Sequence, residues 1–160
     1  MVQQHSLGDV VLASIKPLVV RYCRARIGRR DESFAVADLL AKETLYAVLR
    51  ALSAEQDPLL AVTYRIASEK VNKELKGEPG CAGLTIDVTR LPERQREILV
   101  LRAVCGLSAE QTAEAIGSTV DAVRIAQHHA LTQLRKTASP DIPATRLGHG
   151  ADYESLRERC

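Results

Sequence analysis

Six polar side chains are presented outward in a stretch near the carboxyl end of this 160-residue chain: Thr119, Arg124, Gln127, His128, Arg135 and, beside them, His129. Their chemistry is recognition by hydrogen bonds rather than bond making. An arginine fork matches the acceptors of guanine or a phosphate, and a glutamine amide matches adenine. Short polar residues such as Ser118 and Thr119 suit the end of a helix that enters a groove. The sequence offers no competing chemistry. It has no Ser/His/Asp or Cys/His arrangement, no paired carboxylates in a cleft-like setting and no phosphate loop, so no catalytic residue is expected and the chain is not read as an enzyme.

These side chains need a helix to carry them. From Thr119 to Arg135 they alternate with Val120, Val123, Leu131 and Leu134, the apolar stripe of an amphipathic helix. A second helix opens at Ala109. Its fifth residue, Ala113, is small where two helices must cross closely, and Gly117 supplies a left-handed close. Ile116, Val123 and Ala126 complete the seam between the two. Ser108 with Gln111, and Ser118 with Asp121, read as capping boxes. A third helix precedes them from Leu91-Pro92 and turns Ile98, Leu101, Ala103 and Val104 toward a core. The last two helices have helix-turn-helix spacing.

The segment LPERQREILVLRAVCGLSAEQTAEAIGSTVDAVRIAQHHALTQLRK, Leu91 to Lys136, resembles region 4 of the bacterial sigma-70 family, of the extracytoplasmic-function type. That pattern is close to LPxRQREVLxLRxxxGLSxxEIAEALGxSxGTVKSRLHRAxxxLR. The resemblance implies a module that grips the minus-35 promoter element and the flap of RNA polymerase, with Ser118, Thr119, Arg124, Gln127, His128, His129 and Arg135 as DNA-binding candidates. Asp121 and Ala122 stand where the family usually has Gly-Thr, and His129 where it often has arginine.

A second resemblance lies upstream. DLLAKETLYAVLRAL, Asp38 to Leu52, aligns without gaps to the region 2.2 pattern EDLVQETFLAVWRAL, and Tyr64-Arg65-Ile66-Ala67 matches the YRIA that follows. The first helix is implied to dock on the clamp of the polymerase through Asp38, Leu39, Lys42 and Glu43, the second to read and melt the minus-10 element. Leu39 and Lys42 replace the usual Asp and Gln. Val62 stands near the usual Trp, and a thin basic run, Lys70, Lys73 and Lys76 among Glu69 and Glu74, follows.

Composition agrees with a helical protein. The chain is 46% apolar but 3% aromatic, with no Trp and one Phe, so its core is aliphatic. A net charge of +2 is too small to draw nucleic acid by itself, so attraction must come from local clusters. One such cluster is Arg21, Arg24, Arg26, Arg29 and Arg30. Cys23, Cys81, Cys105 and Cys160 have no metal-ligand spacing, and adjacent histidines point to different sides of a helix, so neither a metal nor a cofactor is expected. The cysteines read as thiols in a reducing compartment. No secretory leader or membrane-length apolar run is seen, which points to a cytoplasmic protein without a membrane partner.

The expected architecture is all-α: two small helical domains joined by a flexible linker. Residues 1–76 form a region 2-like bundle, 77–90 the linker, 91–138 a region 4-like helix-turn-helix domain and 139–160 a flexible tail. The bundle's first helix runs from Leu7 to Ile27, with Pro17 kinking or restarting it and Gly28 ending it. Its second runs from about Phe34 to Leu52 on a stripe of Val36, Leu39, Leu40, Leu45, Val48, Leu49 and Leu52. Its third begins near Pro58 and buries Leu59, Val62, Ile66, Val71 and Leu75. Fully extended, the linker spans roughly 50 Å. About 25 base pairs of duplex between the two promoter elements measure roughly 85 Å, so it must run nearly straight.

The resulting expectation is a sigma factor that binds core RNA polymerase and promoter DNA, with an anti-sigma factor as a further candidate partner. Two other readings compete. One is a sigma-derived regulator that binds DNA or polymerase without initiating. The other is a two-component output domain, whose receiver would need strands that residues 1–76 do not suggest.

Overall fold

The computed structural model describes residues 6–138. The expected tail, 139–160, lies outside them, as do residues 1–5 of the polar start. Among the described residues there are six α-helices and no strand.

Helix α1, Leu7–Ile27, starts on a capping box: the Ser6 hydroxyl accepts from the Asp9 N–H at 3.2 Å and the Asp9 carboxylate accepts from the Ser6 N–H at 3.1 Å. Pro17 lies within it. Both Pro17 and Ala13, whose carbonyl a proline leaves unpaired, are exposed, so water can take that bond. Gly28, at φ 71°, ends the helix as expected.

Helices α2, Ala35–Leu52, and α3, Leu59–Leu75, complete a bundle with α1. The buried line of α2 is Ala37, Ala41, Thr44 and Val48, and Leu39, placed on the stripe by the sequence, is 56% exposed. Small residues face the neighbouring helices because the backbones approach there, while Leu40 and Leu45 flank the contact half-buried. Thr44 and Thr63 tolerate burial by donating to the carbonyls of Leu40 and Leu59, at 2.8 and 2.7 Å.

The segment 77–90 carries no helix, and its middle is fastened to the end of α1. The Cys81 N–H donates to Arg26 O at 2.8 Å and the Gly83 N–H to Ala25 O at 3.1 Å. A side chain at Gly83 would run into the Arg24 carbonyl. Val88 and Leu91 are buried beyond it.

Helix α4, Glu93–Leu99, continues into a π turn, Val100–Val104, in which the Cys105 N–H reaches back to Val100 O at 3.0 Å. The wider turn changes which residues face inward. Ile98 and Leu101 are buried as expected, whereas Ala103 is exposed. Helices α5, Ala109–Ile116, and α6, Val120–Ala138, follow.

One apolar core runs through α1, α2, α3, the π turn and parts of α5 and α6; a smaller one, Ile98, Ala109, Ala113 and Val123, lies within the helix-turn-helix. A buried polar network joins the two halves of the chain. Glu97 of α4 pairs with Arg26 of α1 and accepts from the hydroxyls of Tyr22 and Tyr64, both at 2.8 Å. The two tyrosine rings meet edge to face at 5.8 Å, and burial pushes both hydroxyl pKa values up.

Candidate nucleic-acid interface

The corner that presents α6 is built by short-range chemistry. Ser108 caps α5 reciprocally with Gln111, at 3.0 and 2.9 Å. Gly117 closes α5 in the left-handed conformation, φ 65° and ψ 44°. Ala113, 5% exposed, lets α6 approach. The start of α6 differs from the expected Ser118/Asp121 box. Thr119 is the cap, its hydroxyl accepting from the Ala122 N–H at 3.2 Å, and Ser118 instead accepts from Arg94 at 2.6 Å. Two adjacent hydroxyls compete for one cap, and Arg94 occupies the first.

Helix α6 packs on α4 and α5 through Val123 and Ala130, with Leu134 half-buried. Leu131, expected inside, is 38% exposed, because the seam advances from 123 to 130 to 134 and passes it by.

The expected DNA-binding residues fall into two groups. Thr119, Arg124, His128, His129 and Arg135 are exposed. Arg124 is held by Glu110 at 3.1 Å and Asp121 at 3.9 Å, and the two histidine rings lie 6.2 Å apart. Ser118 and Gln127 are half-buried. Gln127 lies on the inner side, where Arg102 Nε donates to its Oε1 at 2.9 Å and Arg102 Nη1 donates to Leu107 O at 2.6 Å. Arg102 of the π turn thus ties α6, and Arg94 of α4 the turn before it, to the first helix of the domain, a role that spacing alone does not reveal.

On α2, Leu39, Lys42 and Glu43 are exposed and Asp38 is half-buried. Arg24 grips Asp38 with two bonds, 2.7 and 2.8 Å, and these hold its carboxyl below the usual range. Glu43 lies 3.9 Å from Lys70. Beside them a groove of about 590 Å³ between α1 and α2 is lined by Leu12, Val20, Lys42, Leu45 and Tyr46.

Of the arginine cluster only Arg26 is inside the fold, and Arg24, Arg29 and Arg30 are exposed but engaged with groups of the chain itself. Arg26 is buried, Arg30 pairs with Glu74 at 3.1 Å, and Arg24 and Arg29 flank the Phe34 ring at 4.9 and 5.0 Å. Among the described residues no group of three His, Cys, Asp or Glu could hold a metal, and no helix is long and apolar enough to cross a membrane.

An all-helical chain with a capped helix-turn-helix and an exposed polar last helix belongs to the class of DNA-binding regulators of transcription. Comparison with known proteins makes the assignment specific. Residues 89–136 match the family described as Sigma-70, region 4. The chain is 42% identical to the ECF RNA polymerase sigma factor SigD of Mycobacterium bovis and of Mycobacterium tuberculosis, across 78% of this chain and 74% of theirs. It is 35% identical to the ECF RNA polymerase sigma factor ShbA of Streptomyces griseus, across 80% of this chain and 85% of that one. A solved structure, of CnrH in complex with the cytosolic domain of CnrY, shares the fold with a TM-score of 0.58 at 21% identity, covering 81% of this chain and 85% of that one. The chain belongs to the sigma-70 family, as an RNA polymerase sigma factor of the extracytoplasmic-function type. That assignment displaces the regulator without initiating activity, and the absence of strands among the described residues displaces the receiver-linked output domain.

Proposed function

We propose that this sigma factor binds core RNA polymerase through α2 and carries the enzyme to promoters that α6 selects. The observation that carries the reading is the outer face of α6: Thr119, Arg124, His128, His129 and Arg135 stand exposed on a helix whose opposite side is locked into the domain. Such a face fits a major groove, with the cap of α6 turned toward phosphate and bases. Exposed Leu39, Lys42 and Glu43, next to the α1–α2 groove, offer an apolar and charged surface for the polymerase clamp. Asp38 has a different part, orienting α2 on α1 through Arg24. Gln127 would act from behind, setting α6 through Arg102 instead of reading a base.

Residues 1–76 and 91–138 are proposed to work as two modules joined by 77–90. Reaching both promoter elements requires that segment to be nearly straight, so the hydrogen bonds from Cys81 and Gly83, and the Arg26–Glu97 pair, would open on assembly. An anti-sigma factor that holds the modules closed is a fitting regulator, and the cytoplasm, where polymerase works, is the fitting compartment.

The test is transcription in vitro. Core polymerase given this chain should yield transcripts with defined start sites on a minority of genomic fragments. Binding to core without any such transcript would contradict the proposal.

A further inference from the structure

Ile125 breaks the pattern of the α6 surface. At about 100° per residue, Asp121, Ile125, His128 and Thr132 run along the middle of the face that turns away from α4 and α5, with Arg124 and His129 beside them. Leu131, the second exposed large apolar residue of the helix, lies at the edge of the face and is less open, at 38%. Asp121, Arg124, His128, His129 and Thr132 can each form a hydrogen bond. Ile125 cannot, and it leaves 57% of its surface open to water while Val123, two residues earlier, is fully buried. It is the sixth residue of α6, within the part of a recognition helix that lies against base edges. The major-groove edges of the bases carry one apolar protrusion, the C5 methyl of thymine.

We propose that Ile125 is a specificity-determining residue that packs on the C5 methyl of a thymine in the promoter duplex. The inference rests on the proposal that α6 enters the major groove. Hydrogen-bonding complementarity supports this occupant over a protein partner, because Arg124, His128 and His129 flank the isoleucine with groups suited to phosphates and base acceptors, and the exposed carboxylate on the same line, Asp121, can accept from a base amino group. Arg124 would leave Glu110 and Asp121 for the duplex and fix the register, and Ile125 would then choose the base pair beneath it. Desolvating one methyl favours thymine over uracil about fourfold. A cytosine at the same place presents a polar amino group to an apolar side chain and is disfavoured further.

The probe is a duplex library with a randomised block, prepared once with thymine and once with uracil in its place, and selected by the full chain assembled on core RNA polymerase. The wild type should enrich thymine at one position of the thymine library by about fourfold or more over uracil in a mixed competition. Ile125→Ala should lose that preference while still enriching the remaining positions, and Ile125→Val should keep part of it. Because Ile125 touches the solvent and not the core, the variants should unfold at the wild-type urea concentration. An Ile125→Ala profile that keeps the thymine preference, or a wild type indifferent to uracil, would overturn the inference and leave α6 in the groove. A wild type that enriches no duplex sequence would overturn the groove assignment itself, and this inference with it.

Discussion

Arg26, in the last turn of α1, and Glu97, in α4, form an ion pair from which water is excluded: their side chains keep 3% and 8% of their surface. The residues are 71 positions apart, and the pair fastens the amino-terminal bundle to the helix that supports the helix-turn-helix. Tyr22 and Tyr64 saturate the remaining carboxylate oxygen. Removing one partner strands a charge in the interior. Glu97→Ala should therefore lower the unfolding free energy by about 3–5 kcal/mol, and Tyr22→Phe or Tyr64→Phe by about 1 kcal/mol each. An Arg26→Met/Glu97→Leu double variant should recover only part of the loss, because the Tyr22 and Tyr64 hydroxyls still lose their acceptor. Urea titrations followed by circular dichroism measure all four. A Glu97→Ala cost below about 1 kcal/mol would mean that the pair is open in solution.

Cys23 and Cys105 are interior thiols, and burial pushes each pKa up to about 12 from an ordinary value of 9.0. The folded chain therefore holds those two protons across a range of pH in which the unfolded chain releases them. Their contribution is fully present below pH 9 and is lost as pH rises toward 12. The urea midpoint should fall as pH is raised above 9, and Cys23→Ala/Cys105→Ala should flatten that fall. At pH 8 both thiols should resist alkylation until urea is added.

The caps of the helix-turn-helix give a third expectation. Ser108→Ala and Thr119→Ala should each cost about 1 kcal/mol, because each hydroxyl accepts from a backbone N–H at a helix start. Ser118→Ala should instead loosen Arg94 at the surface and cost less than Thr119→Ala. Gly117→Ala should cost about 1 kcal/mol from its left-handed backbone alone, since no atom lies near the space its Cβ would fill. Thermal melts of the four variants rank these effects.

Arg124 should exchange its carboxylate partners for phosphate or a base. Arg124→Ala is expected to weaken duplex binding and to lower the slope of log affinity against log salt by about 1. Glu110→Gln, which releases Arg124 in the free protein, should raise affinity by up to about fivefold. Fluorescence anisotropy across a salt series reads both. An Arg124→Ala slope equal to the wild type would remove this residue from the interface.

What the sequence disclosed is what short spacing encodes. Ser108 and Gln111 stand three residues apart, so their reciprocal cap can be read without a fold, and Gly117 likewise announces the end of α5. Thr119 was hidden by its neighbour: Ser118 has the same hydroxyl and an acidic residue at the right distance, and only Arg94, across the domain, decides between them. Gln127 looks like a base-reading residue on a helical wheel, yet Arg102, 25 residues earlier, holds it from the inside. The Arg26–Glu97 pair is beyond any local pattern. Leu39 misled for a related reason, since the most apolar stripe of α2 is not the one that lets helices approach. Ala37, Ala41 and Thr44 are small enough to do so.

The central claim is that the exposed face of α6 selects the promoter while α2 holds the polymerase, and a footprint separates the two acts. Holoenzyme formed with the wild-type chain should protect the minus-35 element of a fragment it transcribes. A Thr119→Ala/Arg124→Ala/His128→Ala chain should still co-elute with core polymerase but leave that element open to nuclease. Protection unchanged by the triple substitution would contradict the account.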